Sequence, residues 1–248
     1  MNAASTTDAA NTEQQAARAI EYDCWLAGRS PSAVAFRWLM GPGQWGANAP
    51  LYRVAQTLKL DASTRLLDLG CGRGAVLRAL DDQLRCERPP VGLDPSREML
   101  RRAARDEPNA RRDAGLVQGG GTALPFRDAS FNLVLCGHVL KGLDDADVLG
   151  LFAEVRRVLE PGGLALIWEF SPTGNVRLDA WNAYVVSRGP LGRPRLRSQR
   201  TLKRLATDAG FEFVRDADLR PFLLPPVPRA SILVGRPPEG DYTPAYTV

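Results

Sequence analysis

The fold of this chain is decided by the stretch Leu66-Leu67-Asp68-Leu69-Gly70-Cys71-Gly72-Arg73-Gly74 and by the later stretch Val91-Gly92-Leu93-Asp94. Each stretch reads as a strand, and the continuous apolar run of the first predicts burial on both faces of a parallel sheet. Glycine at every second position after that strand predicts a turn whose backbone approaches a ligand without interference from Cβ atoms. Asp94 ends the second strand, where a carboxylate can accept both hydroxyl groups of a ribose. The two strand ends therefore predict a site for a cofactor that carries a nucleoside.

Strand and helix patterns alternate between Thr64 and Phe170, which predicts a doubly wound parallel sheet. The predicted strands lie near residues 64–69, 90–94, 115–118, 131–136 and 163–170, and the predicted helices near residues 73–84, 96–106 and 146–159. The turn Pro161-Gly162-Gly163 is predicted to end the last of these helices and to lead into the fifth strand.

The pattern changes after the fifth strand. Residues 171–198 are predicted to form an insertion with one helix near residues 178–186. The elements predicted after it are a helix near residues 198–209 and two strands over residues 211–214 and 230–234. Because no helix separates these two closing strands, we expect a hairpin whose last strand is antiparallel to the rest of the sheet.

The length of 248 residues suits one large domain with an appendage. We assign residues 1–60 to an N-terminal tail and a helical lid, and residues 61–248 to the core that carries the insertion. The chain is 44% hydrophobic and 24% charged, which is ordinary for a globular protein. No segment reaches the roughly 18 apolar residues that a membrane-spanning helix needs, so we expect no membrane span.

The first glycine-rich stretch resembles the first motif of the class I S-adenosylmethionine (SAM)-dependent methyltransferases, in which an acid stands two residues before Gly-x-Gly-x-Gly. Further stretches match this family in order, at residues 94–100, 121–126, 131–140 and 154–163. Gly70, Gly72 and Ala75 alone would also satisfy the relaxed pattern of a nicotinamide dinucleotide fold. The long segment before the first strand, and the lack of room for a separate substrate domain after the sheet, argue against that alternative.

The resemblance implies a Rossmann-like α/β fold, a mostly parallel sheet with an antiparallel last strand, and SAM as the cofactor. It implies that Gly70, Cys71 and Gly72 cradle the methionyl part of SAM, with Asp68 facing its ammonium group. Asp94 is implied to bind the ribose hydroxyls. Pro95 would flank the adenine, and carbonyl groups near Cys136 would face the methionyl end.

Two positions depart from the family pattern, and the milder change is Asn132, which replaces the usual acid at the start of the fourth strand, away from the cofactor. The family usually places an acid after the third strand to bind the exocyclic amine of adenine, and Gly120 stands at that position here. Backbone groups of Gly120, Gly121 and Thr122 are the expected replacement for that acid. Weaker cofactor binding is the alternative outcome of the loss.

His138 is the only histidine of the chain, and the match places it just past the fourth strand, near the expected methyl group. Histidine suits a general base near neutral pH, and methyl transfer needs a base only when the nucleophile must lose a proton. His138 is thus the candidate catalytic residue, with a pocket-lining role as the alternative. Asp144 and Asp145 are expected to start or cap the helix near residue 146, and no metal site is predicted.

The charge balance is mildly basic, with a net charge of +4 and a sequence pI of about 9.1. A basic cluster follows the fifth strand and consists of Arg188, Arg193, Arg195, Arg197, Arg200, Lys203 and Arg204. We interpret it as a solvated face, while contact with an anionic substrate, a membrane surface or nucleic acid is the alternative. Aromatic residues that could stack on bases are not interleaved with it, which argues against nucleic acid.

The cysteines show no metal-binding spacing and no Cys-x-x-Cys pair, so we interpret them as reduced thiols of an intracellular protein and expect a cytoplasmic location.

The sequence therefore predicts an enzyme that moves a methyl group from SAM to a small-molecule acceptor, anionic or aromatic, by in-line displacement. Ala123-Leu124-Pro125-Phe126 is similar to small-molecule and quinone-pathway members of the family. One alternative is a non-catalytic SAM-binding sensor or partner subunit, for which Gly120 is the support. Another is a nucleic-acid methyltransferase, although the chain lacks the Asn/Asp-Pro-Pro-Tyr/Phe motif of the base-amine type. The oligomeric state is left open.

Overall fold

The computed structural model describes residues 17–38, 50–105, 115–186, 194–217, 219 and 229–237. Its strands are β1 (Leu66–Leu69), β2 (Val91–Asp94), β3 (Gly115–Gln118), β4 (Phe131–Gly137), β5 (Leu159–Phe170), β6 (Phe213–Asp216) and β7 (Arg229–Gly235). They form a seven-stranded sheet in the order β3-β2-β1-β4-β5-β7-β6. The pairs among β1 to β5 are parallel, whereas β7 is antiparallel to both β5 and β6. The predicted Rossmann-like sheet with an antiparallel last strand is confirmed.

The described helices are α1 (17–27), α2 (Pro31–Trp38), α3 (Val54–Thr57), α4 (Ala75–Leu84), α5 (Arg97–Arg105), α6 (Asp145–Val158), α7 (Val176–Val186) and α8 (Gln199–Asp208). Short 3-10 turns at Leu51–Arg53 and Leu140–Gly142 precede α3 and follow β4. Helices are therefore present in the segment predicted as an N-terminal lid. Among the described residues, no helix combines the length and the apolar character that crossing a bilayer requires.

The sheet is buried on both faces, which explains why β1 reads as a continuous apolar run. Successive side chains of a strand point to opposite faces, so Leu67 and Leu69 pack into the cluster that contains α6 and α8. Leu66 packs into the other cluster, which contains α3 and α4. Parallel pairing then brings the carboxyl ends of β1, β2, β4 and β5 to one edge of the sheet. Leu69 lies beside Leu93 and Cys136 at that edge.

The turn Pro161-Gly162-Gly163 differs from its predicted role, because it lies inside β5 rather than before it. Leu159 already pairs with Phe131, and the register then shifts before Leu164 pairs with Leu133. Gly162 adopts a φ of 82° within this interruption. The turn thus acts as a bulge between two paired parts of one strand.

The strand predicted over residues 211–214 begins later, at Phe213. The N–H of Phe211 donates to the carbonyl of Ala206 at 3.1 Å, and Gly210 has a φ of 89°. This left-handed residue followed by a closing hydrogen bond is a typical helix C-terminus. Phe211 therefore belongs to the end of α8, and its ring packs edge-on against that of Phe152.

The basic cluster is not one solvated face, and the interpretation made from the sequence is wrong for Arg197. Its side chain is 5% exposed, and Nε lies 2.8 Å from Oδ1 of Asp145. Nη1 and Nη2 donate to the carbonyls of Leu140 and Leu143, both at 2.7 Å. Because a buried guanidinium needs this many acceptors, Arg197 joins the segment before α8 to the loop after β4. Arg188 and Arg193 lie outside the described residues.

Candidate active site

The loop between β1 and α4 is held against the end of β2. The N–H groups of Gly70 and Cys71 donate to the carbonyl of Leu93 at 2.7 and 3.1 Å. Gly70 has a φ of 69°, and a Cβ on it would lie 2.4 Å from Cγ2 of Val139. Only glycine fits there without a shift in its surroundings.

Gly72 has a φ of 53°, but no described atom lies within 4 Å of the position that its Cβ would take. Its N–H donates to Oδ2 of Asp94 at 2.9 Å. The three amides of residues 70–72 are thus used inside the protein. What Gly70 and Gly72 offer to a ligand is backbone that carries no side chain.

Asp94 joins the two loops that follow β1 and β2, and the space between these loops and the ends of β4 and β5 is called the crevice below. Besides Gly72, its carboxylate accepts from the N–H of Ser96 at 2.8 Å. Burial raises the pKa of Asp94 to about 6, although these two N–H donors lower it in part. The carboxylate is therefore fixed in place at the predicted ribose position.

Asp68 is buried beside Asp94 on the neighbouring strand, with 6% of its surface exposed. Burial, and to a smaller extent the charge of Asp94, raises the pKa of Asp68 to about 7. A cationic group next to Asp68 would offset this cost. The ends of β1 and β2 thus provide two buried carboxyl groups that favour a positively charged ligand.

This arrangement predicts a pH-dependent stability of the ligand-free protein. The folded-state pKa of Asp68 lies above its ordinary value of 3.8, so the folded chain holds an extra proton between about pH 4 and 7. The free energy of unfolding therefore falls as the pH rises through that window. Asp68→Asn removes the ionisation and should stabilise the ligand-free chain at pH 8 by ~2 kcal/mol, with a smaller gain at pH 5.

Thermal unfolding of wild type and variant from pH 5 to pH 8 measures this difference. Asp82→Asn, on the exposed side of α4, is the matched control. A stability difference between Asp68→Asn and wild type that stays constant with pH would contradict the prediction.

Helix α1 crosses the carboxyl edge of the sheet. Its Asp23 accepts hydrogen bonds from the hydroxyl of Ser96 and, at 3.3 Å, from the N–H of Glu98. Tyr22 lies near Asp94. Burial of its hydroxyl, together with the charges of Asp94 and Asp23, raises the pKa of Tyr22. The sequence did not predict this contact, because an acid at position 23 has no periodicity that distinguishes it from a solvated residue.

The loop after β3 lies beside the end of β2. Gly119 donates its N–H to the carbonyl of Asp94 at 3.3 Å, and Gln118 donates from Nε2 to the carbonyl of Pro95 at 3.2 Å. A Cβ on Gly121 would lie 2.7 Å from Cδ1 of Leu151, so this glycine permits the close approach of the loop to α6.

Gly120 and Thr122 are half-buried in the same loop, and Pro95 is exposed. The predicted adenine-reading residues therefore share one side of the crevice with Asp94. Helix α6 holds the loop in place through a hydrogen bond, in which Oε2 of Glu154 accepts from the N–H of Leu124 at 2.7 Å.

The ends of β4 and β5 form the other side of the crevice. His138 has a φ of 61°, and its N–H donates to the carbonyl of Trp168 at 2.7 Å. Its Nδ1 lies 3.8 Å from Oε1 of Glu169, and its ring stacks on that of Phe170 with centroids 4.5 Å apart. A non-glycine residue in the left-handed region is unusual and is found preferentially at functional positions.

Glu169, which is 1% exposed on β5, is not among the site residues that the sequence predicts. The available signal was a single acid within the otherwise apolar run Leu164-Ala165-Leu166-Ile167-Trp168-Glu169-Phe170. A buried acid in such a run needs partners, and its presence is a recognised pointer to a functional site.

The two thiols at this edge are packing groups. Burial, with the nearby acids, raises the pKa of both the Cys71 and the Cys136 thiols. Neither is therefore a thiolate nucleophile. Asp144 caps α6 by accepting from the N–H of Asp147 at 2.9 Å, as predicted.

Known proteins and solved structures are similar to this chain. Residues 67–167 match the family model described as a methyltransferase domain. A demethylmenaquinone methyltransferase of Lactobacillus johnsonii is 35% identical over 130 residues, which are 51% of this chain and 52% of that protein. A 24-methylenesterol C-methyltransferase 2 of Oryza sativa subsp. japonica is 32% identical over 181 residues, 70% of this chain and 47% of that protein.

Among solved structures, the SAM-dependent methyltransferase SibL in its apo form matches with a TM-score of 0.67 and 19% identity, over 86% of this chain and 61% of that chain. At this identity the match shows the fold alone. The chain spans about half the length of the two sequence relatives. In its sequence motifs, its sheet and its matched domain, the chain is similar to the class I SAM-dependent methyltransferases.

Proposed function

We propose that this protein transfers a methyl group from SAM to a small-molecule acceptor. SAM, when bound, supplies a methyl group on a sulfonium that is already an excellent leaving group, so the chain has to bind and orient the reactants. The observation that carries the proposal is the pair of buried carboxyl groups, Asp68 and Asp94, on either side of a glycine loop with open space at Gly72.

The proposed cofactor contacts follow the crevice from one side to the other. Asp68 would receive the ammonium group of SAM, which relieves the cost of burying its carboxylate. Asp94 would accept the ribose hydroxyls, and the backbone of Gly120, Gly121 and Thr122 would contact the adenine beside Pro95. Gly70, Cys71, Gly72 and Cys136 would line the methionyl part. The described residues contain no cluster of three or more metal-ligating side chains, and no metal is part of the proposal.

The acceptor would enter on the side of His138, under α1 and next to the segment that follows β5. Large apolar side chains are exposed on α7 in that segment, with Val176 84% and Trp181 57% exposed. The names of the two sequence relatives, a demethylmenaquinone and a methylenesterol methyltransferase, support an acceptor with an apolar body. We propose an apolar or aromatic small molecule rather than nucleic acid, and a cytoplasmic location as the sequence predicts.

A transfer assay with tritium-labelled SAM tests this proposal against both alternatives. The arms contain a reduced demethylmenaquinone analogue, a sterol, a set of phenols, total RNA and duplex DNA. Label in a small-molecule arm is the expected result. Label in nucleic acid only, or bound SAM with no transfer in any arm, would overturn the small-molecule proposal.

A further inference from the structure

A cavity of about 430 Å³ lies on the face of the sheet that packs against α3 and α4. Its described lining comes from the turn and helix before β1, from the middle of β5 and β7, and from the end of β6. None of these lining residues belongs to the proposed cofactor site. Small-molecule sites in proteins have volumes of ~300–1,000 Å³, so this cavity has room for a second ligand.

The floor of the cavity is apolar. Leu166 of β5 pairs with Leu233 of β7, which in turn pairs with Arg215 of β6. Residues directly opposite each other on paired strands point to the same face, so these three side chains form one row across the sheet. Val54 and Leu58 supply apolar side chains to the wall above them. A ligand that occupies the cavity therefore needs an apolar part.

Two arginines border this apolar floor. Arg215 ends the row of three side chains, and its Cζ stands 5.1 Å from the centre of the Phe213 ring. Arg53 is the last residue of the 3-10 turn before α3 and is exposed. Within the described part of the chain, neither guanidinium has a hydrogen bond or an ion pair. Each can therefore donate to an anionic ligand at the rim of the cavity.

The one acid in the described lining does not neutralise these arginines. Asp216 follows Arg215 on β6, and the alternation of a strand sends its side chain to the opposite face. There Oδ1 accepts from Nζ of Lys203 and from Nε2 of Gln199, both on α8. These contacts hold the pKa of Asp216 below its usual value. The carboxylate is thus charged and already paired on the far side of the sheet.

We propose that this cavity binds a small amphipathic carboxylate, a molecule whose apolar chain or ring ends in one anionic group. The apolar part would lie on Leu166 and Leu233, and Arg53 and Arg215 would hold the carboxylate at the rim. Arginine suits this role because its planar guanidinium offers paired N–H donors to the two oxygens of a carboxylate. The proposed site is additional to the proposed methyl transfer and does not depend on it.

The hydrogen bonds at the rim favour a carboxylate over a phosphate. The N–H of Arg53 donates to the carbonyl of Pro50 at 3.1 Å, and the N–H of Ala217 donates to the carbonyl of Ser231 at 3.0 Å. Phosphate sites in proteins are commonly built from free backbone N–H groups. Because these two amides are used inside the protein, the side chains of the arginines are the donors left for a singly charged group.

A ligand-observed NMR titration of the full chain with octanoate tests the proposal, with n-octanol and octylammonium as matched neutral and cationic probes. We expect saturable binding of one octanoate per chain. Octanol, which has the same chain and no charge, should bind at least ~10-fold more weakly, and octylammonium more weakly still. The titration needs neither SAM nor an acceptor.

Variants of the lining residues assign the binding to this cavity. Arg53→Gln and Arg215→Gln should each weaken octanoate by about 10-fold and leave the affinity for octanol within about threefold. Ala217→Phe places a ring in the cavity and should abolish the binding of both probes while both arginines remain. Arg204→Gln is the matched control, since Arg204 is exposed on α8, across the sheet.

Three results would overturn the inference. Octanol that binds as tightly as octanoate would show an apolar groove with no selection for an anion. An unchanged octanoate affinity in Ala217→Phe, or in the double variant Arg53→Gln with Arg215→Gln, would show that octanoate binds elsewhere. A folded chain with no saturable octanoate binding would do so outright. A chain that binds octanoate but not SAH would refute the cofactor assignment and leave this site in place.

Discussion

Replacing Asp94 with alanine is expected to weaken the binding of S-adenosylhomocysteine (SAH) by at least ~100-fold, about 2.8 kcal/mol. Hydrogen bonds from a ribose to a charged acceptor contribute ~1.5–3 kcal/mol each, and the variant loses both. It also loses the carboxylate that accepts from Gly72 and Ser96 and so holds the two loops together. Calorimetric titration with SAH measures the effect.

Asp94→Asn separates charge from shape, because the amide oxygen keeps one acceptor of similar position. We expect its affinity for SAH to lie between those of wild type and Asp94→Ala. Asp82→Ala, an exposed aspartate of α4, is the control for a general effect of removing a negative charge. An affinity of Asp94→Ala within threefold of wild type would show that the ligand does not reach the end of β2.

Replacing Gly70 with alanine is expected to lower the melting temperature by roughly 6 °C or more, which corresponds to about 3 kcal/mol. A left-handed backbone costs alanine about 1 kcal/mol, and overlap of the new methyl group with its neighbour adds about 1–3 kcal/mol. The overlap arises because the new Cβ would stand 2.4 Å from Cγ2 of Val139. Val139 is β-branched and has little freedom to move aside.

The neighbouring glycines provide the controls. Gly72→Ala has a similar φ but open space, so it should show the backbone cost alone, about 1 kcal/mol. The double variant Gly70→Ala with Val139→Ala should recover part of the stability lost in Gly70→Ala. If Gly70→Ala and Gly72→Ala had equal effects, the contact with Val139 would not be the cause.

Much of the fold was predictable because its signals are local. The apolar run of β1, the turn residues and the helical periods predicted the strands and helices up to β5, and the missing helix before β7 predicted its direction. The bulge at Gly162 was not predictable, because it depends on Arg236, a distant residue whose N–H donates to the Gly163 carbonyl. Local turn chemistry cannot distinguish a turn before a strand from a bulge within it.

The site was predictable where a motif carries it and not where tertiary contacts do. Asp68 and Asp94 lie at the ends of adjacent strands, as the spacing of the motifs indicates. Asp23 and Glu169 were missed, since one depends on how α1 docks and the other on partners that come from the turn after β4. Arg197 was misassigned because a basic run reads as solvated until its acceptors are known.

Burying the two acids of the crevice is unfavourable in the ligand-free protein, and the binding of a cation offsets this cost. Two adjacent carboxyl groups with raised pKa values make the empty protein less stable at neutral pH than an amide pair would. That loss is recovered when a cation binds, which couples ligand binding to folding stability.

Calorimetric titration of the wild-type chain with SAH is the most direct test of the proposed site. We expect one SAH per chain, an affinity that increases from pH 5.5 to pH 7.5 as Asp68 and Asp94 ionise, and no heat on titration with NAD. A folded chain that binds NAD, or that gives no heat with SAH at pH 7.5, would contradict the assignment of the crevice to SAM.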